Sequence, residues 1–327
     1  MPEIENTKDA PLQRLIAANE EALIQQSRSF SLPILKLDGR FKTPIMVQYN
    51  LNKSIDTIED SVVLETGEKI DLIQVFCRNL LKGTSSPEIR KRMLQVTPPD
   101  ESFVFSNHEQ IIRLYNTLSH EEQSLSNKWT LEMADGMCCF LTKAIDTPKD
   151  LNDYCYYVAG SVGLYLTALL RLKGTAVTEK RFRALKERAV SFGTFLQKLN
   201  IIRDFIEDKT DRKRTFWPRV YLEQGKNPLE ILNRMTDETY QNDVPQAIDY
   251  YAHLPAGNES FEYFIRFILA SGIEYLHLLK NNQSVFSKNK VKLPRTFIED
   301  LYTKLAALTS SQFLDYCRDS SAFCHRS

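Results

Sequence analysis

Residues 196–208 read Leu196-Gln197-Lys198-Leu199-Asn200-Ile201-Ile202-Arg203-Asp204-Phe205-Ile206-Glu207-Asp208. Asn200, Asp204 and Asp208 recur every four residues, so a helix stacks them on one face, with Glu207 at its border. Ile201, Ile202, Phe205 and Ile206 make the remainder apolar, so the spacing predicts a helix packed into a core. Carboxylates aligned in this way repel one another, which costs stability unless a cation sits among them. The acidic face is therefore expected to point into a cavity.

A second segment repeats the pattern. Asp56-Thr57-Ile58-Glu59-Asp60 places carboxylates at i, i+3 and i+4. It ends a helical stretch that includes Pro44 to Ile55, and Tyr49, Lys53, Asp56 and Asp60 then share one face. Two such helices facing each other would hold several hard divalent cations. Mg²⁺ prefers carboxylate oxygens and retained waters, and it commonly completes its shell with substrate phosphates. These residues alone predict an all-helical, Mg²⁺-dependent site for a diphosphate.

Composition agrees with a helical chain. Gly (11) and Pro (13) are scarce in 327 residues, against averages of about 7% and 5%. The 42 basic and 42 acidic residues cancel, so no general attraction to nucleic acid is expected. The six cysteines show no paired metal spacing. Cys138, Cys139 and Cys155 fall in apolar helical runs, which predicts buried thiols in a reducing, cytoplasmic compartment. The polar, acidic start Met1-Pro2-Glu3-Ile4-Glu5-Asn6 is not a signal peptide. Phe261 to Leu279 is the most membrane-like run, but Glu262, Arg266, Glu274 and His277 interrupt it, so it reads as a buried helix and no transmembrane anchor is expected. The closing Cys324-His325-Arg326-Ser327 lacks the aliphatic pair of a prenylation signal.

Helical periodicity dominates the chain, with no strand alternation and no solenoid repeat. Helices are predicted over 12–26, 121–145, 180–209, 226–252, 258–280 and 295–309. Another starts at Thr147-Pro148-Lys149-Asp150 and runs to Lys173-Gly174. Gly160 and Gly163 lie inside it, where glycine costs about 1 kcal/mol against alanine, so a close neighbour is expected. Residues 83–107 read as the most loop-like segment. The expected architecture is all-α, a single-domain helical bundle over 1–327 with its core at about 15–290, and with 1–12 and 310–327 peripheral.

The two acidic segments resemble the paired aspartate-rich motifs of the squalene/phytoene synthase family. Phe216-Trp217-Pro218 follows the second motif as in eukaryotic members. Asp153-Tyr154-Cys155-Tyr156-Tyr157-Val158-Ala159-Gly160-Ser161-Val162-Gly163 is similar to the family's central tyrosine helix. Ser27-Arg28-Ser29-Phe30 and Leu37-Asp38-Gly39 resemble its first block. Four blocks in order, across about residues 15–290, make the resemblance specific. It implies the isoprenoid synthase fold with a central active-site cavity, and a reaction on two molecules of farnesyl diphosphate. One loses diphosphate to bound Mg²⁺ (or Mn²⁺), the other condenses on it to give presqualene diphosphate, and NADPH reduces the rearranged product to squalene. It implies metal ligands among Asp56, Glu59, Asp60, Asn200, Asp204, Glu207 and Asp208. Diphosphate contacts fall to Arg28, Lys53, Gln197, Arg203 and Arg214, and catalytic roles to Tyr49, Tyr157 and Phe264. A monomer with peripheral membrane contact and no anchor is expected, and the cations of Lys288 to Arg295 are candidates for NADPH phosphates.

Three departures from the family pattern stand out. Phe264-Ile265-Arg266-Phe267-Ile268-Leu269 replaces a block that carries Pro and Gln, which leaves open a product that is never reduced: dehydrosqualene, phytoene or presqualene diphosphate. Lys53 stands where eukaryotic members have arginine, and their C-terminal anchor is missing. A one-substrate terpene cyclase and a non-catalytic relative are further readings. The tyrosine block speaks against the first, and the intact acids against the second.

Overall fold

A computed structural model describes residues 10–27, 30–223, 225 and 227–323. Among them there is no strand. The chain divides into two compact units, one ending at Leu141 and the other beginning at Thr142.

The first unit holds α1 (Ala10–Gln26), α2 (Ser31–Leu35), α3 (Gly39–Asp60), α4 (Thr66–Leu81), α5 (Pro87–Val96), α6 (Phe103–Ser106), α7 (His108–Tyr115) and α8 (His120–Phe140). Its axis is α3, which packs against α1, α4, α7 and α8. Asp38 caps α3 by accepting the Arg40 N–H at 2.9 Å, so the helix begins before the Pro44–Ile55 stretch read from the sequence. Phe41, Met46, Leu51, Ile55 and Ile58 are fully buried along it. Polar groups fix its register as well. Asn50 donates to the Asn19 carbonyl at 3.2 Å, and Gln48 to the Thr130 hydroxyl at 2.9 Å.

The loop-like reading of 83–107 is corrected by α5, α6 and a 3₁₀ turn at Pro99–Glu101. Ser86 caps α5, Pro87 occupies its first turn, and Ile89 and Met93 bury its inner face. The Gly, Ser and Pro of this stretch are helix boundaries rather than loop filler.

The second unit holds α9 (Pro148–Cys155), α10 (Ser161–Lys173), α11 (Glu179–Arg203), α12 (Phe205–Thr210), α13 (Arg219–Leu222), α14 (Pro228–Asn242), α15 (Val244–Ala252), α16 (Glu259–Leu279), α17 (Arg295–Ala306) and α18 (Ser310–Phe323). The Thr147 cap is a full capping box with Asp150. Between α9 and α10 the helix widens into a π turn at Tyr156–Gly160. At the centre lies α11, packed against α10, α14, α15, α16 and the π turn. Two glycines allow this approach. A Cβ on Gly163 would lie 2.0 Å from the Ala189 carbonyl oxygen, and one on Gly193 would lie 2.0 Å from that of Ala159.

Several expected helices are divided. The 180–209 helix breaks at Asp204, whose φ of −92° and ψ of 11° leave the helical basin. The 226–252 helix breaks at Asp243, one residue before Val244-Pro245; Pro245 has no N–H and crowds the preceding turn. The last expected helix ends at Ala306, and α18 follows it as a helix the sequence reading lacks. Cys155 is buried, whereas Cys138 is half-buried and Cys139 exposed, against the expectation of three buried thiols. Among the described residues, the segment long and apolar enough to cross a membrane is Pro148–Lys173 rather than Phe261–Leu279. Of its most apolar window, 61% is buried in the fold.

Candidate active-site residues

The first acidic segment is the last turns of α3. Lys53 Nζ pairs with Asp56 Oδ2 at 2.5 Å. Burial opposes the Lys53 charge, but Asp56 and Asp60 outweigh it and hold the ammonium above its ordinary range. Tyr49, four residues before Lys53, has a phenol pushed up by burial against the pull of Lys53 and Ser27. Asp60 is half-buried. Glu59 is 2% exposed, and its backbone carbonyl accepts from Lys69 Nζ at 2.7 Å. Arg28 lies outside the described residues.

The second segment joins the end of α11 to α12. The break at Asp204 does not disrupt the acidic face, because the Asp204 N–H reaches the Asn200 carbonyl at 2.8 Å and the Asp208 N–H reaches the Asp204 carbonyl at 2.9 Å. Asn200 Nδ2 donates to Gln197 Oε1 at 3.4 Å. The side chains of Asp204 and Asp208 are only 12% and 4% exposed.

The expectation that these carboxylates lack compensation is corrected. Arg203 Nε donates to Asp204 Oδ1 at 2.7 Å. Arg212 Nη1 meets Asp208 Oδ1 at 2.8 Å and Arg212 Nη2 meets Glu207 Oε1 at 3.4 Å. Lys290 closes the group, 3.6 Å from Asp204 Oδ1 and in direct contact with Glu207. Burial raises the Asp204 carboxyl, but the Arg203 bond and charge outweigh it and leave it below the usual range. At Asp208 burial wins over Arg212 and pushes the carboxyl up to about 6. Arg212 stands at i+4 from Asp208, a signal open to sequence reading. Lys290 is remote in the chain, and only folding brings it here.

The remaining candidates belong to the second unit. Tyr157 sits in the π turn, its ring 5.2 Å from that of Tyr156; π turns recur at functional sites. The Arg214 N–H bonds the Asp208 carbonyl at 2.8 Å, and its guanidinium lies over Phe216 at 4.5 Å. Phe264 is 3% exposed, with its ring 6.2 Å from Phe261. Arg266, the residue that departs from the family pattern, lies two positions on and so turns away from Phe264. Its guanidinium reaches the carbonyls of Leu305 (3.0 Å) and Leu308 (2.6 Å), the Tyr251 hydroxyl and Glu262. It therefore clamps α17 and α18 to α16.

Among the described residues no three His, Cys, Asp or Glu side chains form a ready-made metal centre. The donors still suit Mg²⁺. They are carboxylate and amide oxygens, and Mg²⁺ usually takes one or two protein carboxylates and fills its shell with water and phosphate. A cavity of about 760 Å³ in this unit is lined by Phe205, Ile206 and Lys209 of α12, and neither Asp204 nor Asp208 lines it.

Comparison with known proteins agrees with the sequence resemblance. A family model described as squalene/phytoene synthase matches residues 23–296. Squalene synthase 1 of Arabidopsis thaliana is 28% identical over 307 residues, covering 89% of this chain and 72% of its own. The squalene synthase of Rattus norvegicus is 31% identical over 291 residues, covering 83% and 65%. The chain thus spans about two thirds of the length of these relatives. A solved ligand complex of TcSQS superposes with a TM-score of 0.82 at 28% identity, covering 94% of this chain and 92% of the other. A dehydrosqualene synthase structure, 19% identical with a TM-score of 0.63, shares the fold.

Proposed function

We propose that this chain, which belongs to the squalene/phytoene synthase family, joins two molecules of farnesyl diphosphate head to head and reduces the product to squalene. One observation carries the reading: both acidic segments are complete, and they stand in the fold of a squalene synthase structure matched over 94% of the chain. The two TcSQS complexes superpose better, with TM-scores of 0.82 and 0.81, than the dehydrosqualene synthase at 0.63, whereas a structure of the squalene synthase HpnC superposes less well, at 0.53.

In this reading Asp56 and Asp60 hold metal at one segment, and Asn200, Asp204 and Asp208 at the other, with Glu59 and Glu207 in support. Bound Mg²⁺ neutralises the departing diphosphate and stabilises its charge. The protein's own cations do the rest of the binding. Lys53 and Arg203 are held against Asp56 and Asp204, and their N–H groups are assigned to phosphate oxygens. Arg214 and Gln197 complete the contacts, with Arg28 before them in the chain. With metal bound at Asp204 and Glu207, Lys290 would be displaced from them and would be available to phosphate.

Joining C1 of one chain to the C2–C3 double bond of the other leaves a carbocation, and closing the three-membered ring releases a proton. Tyr157 is assigned the handling of that proton through its phenol, with the departed diphosphate as the final base. Tyr49, above its ordinary range, remains a neutral hydrogen-bond donor on the α3 face. The ring of Phe264 is assigned to the second carbocation, whose charge an aromatic face stabilises. When bound, NADPH would supply the hydride, and the exposed Lys288 and Lys292 are the cations assigned to its phosphates.

The changed 264–269 block favours a second reading, in which the coupled product is released without reduction. Arg266 is engaged with Leu305, Leu308, Tyr251 and Glu262, which is compatible with the first reading, while the missing Pro and Gln of the block favour the second. Chromatography of the products from farnesyl diphosphate and Mg²⁺, with and without NADPH, separates the two. Squalene in the NADPH arm supports the first reading, and an unreduced product in both arms supports the second. The enzyme is further proposed to act as a monomer in the cytoplasm, in peripheral contact with the membrane that takes its product.

A further inference from the structure

We propose that a cavity of about 240 Å³ in the first unit, where the starts of α5 and α7 meet, binds one free tetrahedral oxyanion of phosphate size. The proposal does not rest on the prenyl-coupling reading and uses none of its residues. Ser85, Ser86 and Arg90 line the cavity from the α5 side, and Ser106 and His108 from the α7 side. Its volume is below the roughly 300–1,000 Å³ of sites for larger ligands, so it suits a small inorganic anion and leaves no room for a hydrocarbon chain.

His108 carries the inference. It is 2% exposed, and its ring is held 5.9 Å from that of Phe76 and 6.1 Å from that of Phe105. Nε2 accepts the Ser86 N–H at 3.2 Å. Burial and Arg90 keep the imidazole neutral, lowered to about 4, so the ring proton sits on Nδ1. That N–H is buried and has no hydrogen-bond partner among the described residues. A buried donor left unmade is costly, and such groups are almost always satisfied by protein or by something bound. The surroundings supply more donors of the same kind. Asn107 precedes α7 but does not cap it, because its carboxamide turns back to the Phe103 carbonyl at 3.1 Å. The start of α7 therefore keeps its open N–H groups and the positive end of its dipole, which together attract anions. The Ser85 and Ser106 hydroxyls and the Arg90 guanidinium make no hydrogen bond or ion pair with a described residue. Glu109 also lines the cavity, but its carboxylate is drawn toward Arg113, at 4.0 Å, one turn into α7. A water would satisfy Nδ1 alone. An oxyanion accepts from Nδ1, from the α7 start and from Arg90 together, and the arginine bond is charge-assisted.

The test uses the full chain in EDTA, so that no metal at the acidic segments gathers phosphate. Inorganic phosphate is titrated by calorimetry and by NMR of the histidine rings, with His108 identified by its contacts to the Phe76 and Phe105 rings. Saturable binding of one phosphate per chain, with a shift of the His108 ring signals, is expected. Arg90→Gln should weaken it by roughly tenfold, the usual effect of losing a charge-assisted hydrogen bond. Arg183→Gln, which removes an exposed arginine of the second unit, should leave it unchanged. Circular dichroism checks that both variants are folded. An absence of saturable binding would overturn the proposal and leave Nδ1 to water. Binding that does not move the His108 signals would place the anion elsewhere and equally overturn it. So would equal binding to Arg90→Gln, or equal weakening by Arg183→Gln, which would mean a general charge effect. Binding to phosphatidic acid vesicles without binding of free phosphate would mean a membrane headgroup and would also overturn it.

Discussion

Gly163→Ala adds one methyl group where α10 meets α11. The new Cβ would stand 2.0 Å from the Ala189 carbonyl oxygen and 2.9 Å from its carbon. Both are backbone atoms, so no rotamer change relieves the clash. Ordinary contact begins at 3.4 Å, so the two backbones must part by roughly 1.4 Å in an interior packed as densely as a crystal. Overpacking of this kind costs about 1–3 kcal/mol or more, while alanine in a helix returns about 1 kcal/mol. A net loss of about 2 kcal/mol or more follows. Urea unfolding, read by Trp217 emission in a Trp129→Phe background, should show it as a midpoint lowered by on the order of 0.7 M for a slope near 3 kcal/mol/M. Gly67→Ala is the control. It also sits in a helix, but its new Cβ would meet nothing within 4 Å, so it should leave stability unchanged or raise it by about 0.4–1 kcal/mol. An unchanged or raised midpoint for Gly163→Ala would show that the helices do not meet there, and the close packing that positions Tyr157 beside α11 would fall with it.

Three further outcomes are expected. His108 is buried and held neutral, its imidazole lowered to about 4 by burial and by Arg90. The unfolded chain therefore binds the extra proton between about pH 6.5 and 4, and stability falls as pH drops through that window by up to about 3 kcal/mol; melting curves of His108→Asn should lose this slope. Asp60→Asn and Asp204→Asn should each cut turnover about 100-fold or more with circular dichroism unchanged, as expected for loss of transition-state charge stabilisation, and full turnover in either would remove that acid from the metal site. Arg266→Leu leaves the Leu305 and Leu308 carbonyls and Glu262 without their donor, so about 3 kcal/mol should be lost, and limited proteolysis should cut α17 and α18 first; an unchanged digestion pattern would refute the clamp.

What could be read in the sequence was local. The four-residue spacing of Asn200, Asp204 and Asp208, the Thr147-Pro148 start and the interior Gly163 each state a constraint within a turn or two of helix. The break at Asp204 was not legible, since aspartate is no helix breaker and the reason lies in its burial and its Arg203 partner. The break at Asp243 was signalled by Pro245 and obscured by the apolar period on either side. Nothing local announces that Lys290 reaches Glu207, or that Arg266 holds the C-terminal helices, because both contacts join residues far apart in the chain. The amphipathic run of α18 is short and polar, and its burial of Phe313 and Cys317 depends on α15 and α16 already being in place.

The most direct test of prenyl coupling is a stoichiometric product assay. Isotope-labelled farnesyl diphosphate is incubated with the protein, Mg²⁺ and NADPH, and both hydrocarbon and released diphosphate are measured. Head-to-head coupling with reduction predicts squalene carrying label from two substrate molecules, two diphosphates released for each squalene, and no turnover in EDTA. A 15-carbon hydrocarbon with one diphosphate per product, or turnover that survives EDTA, would contradict it.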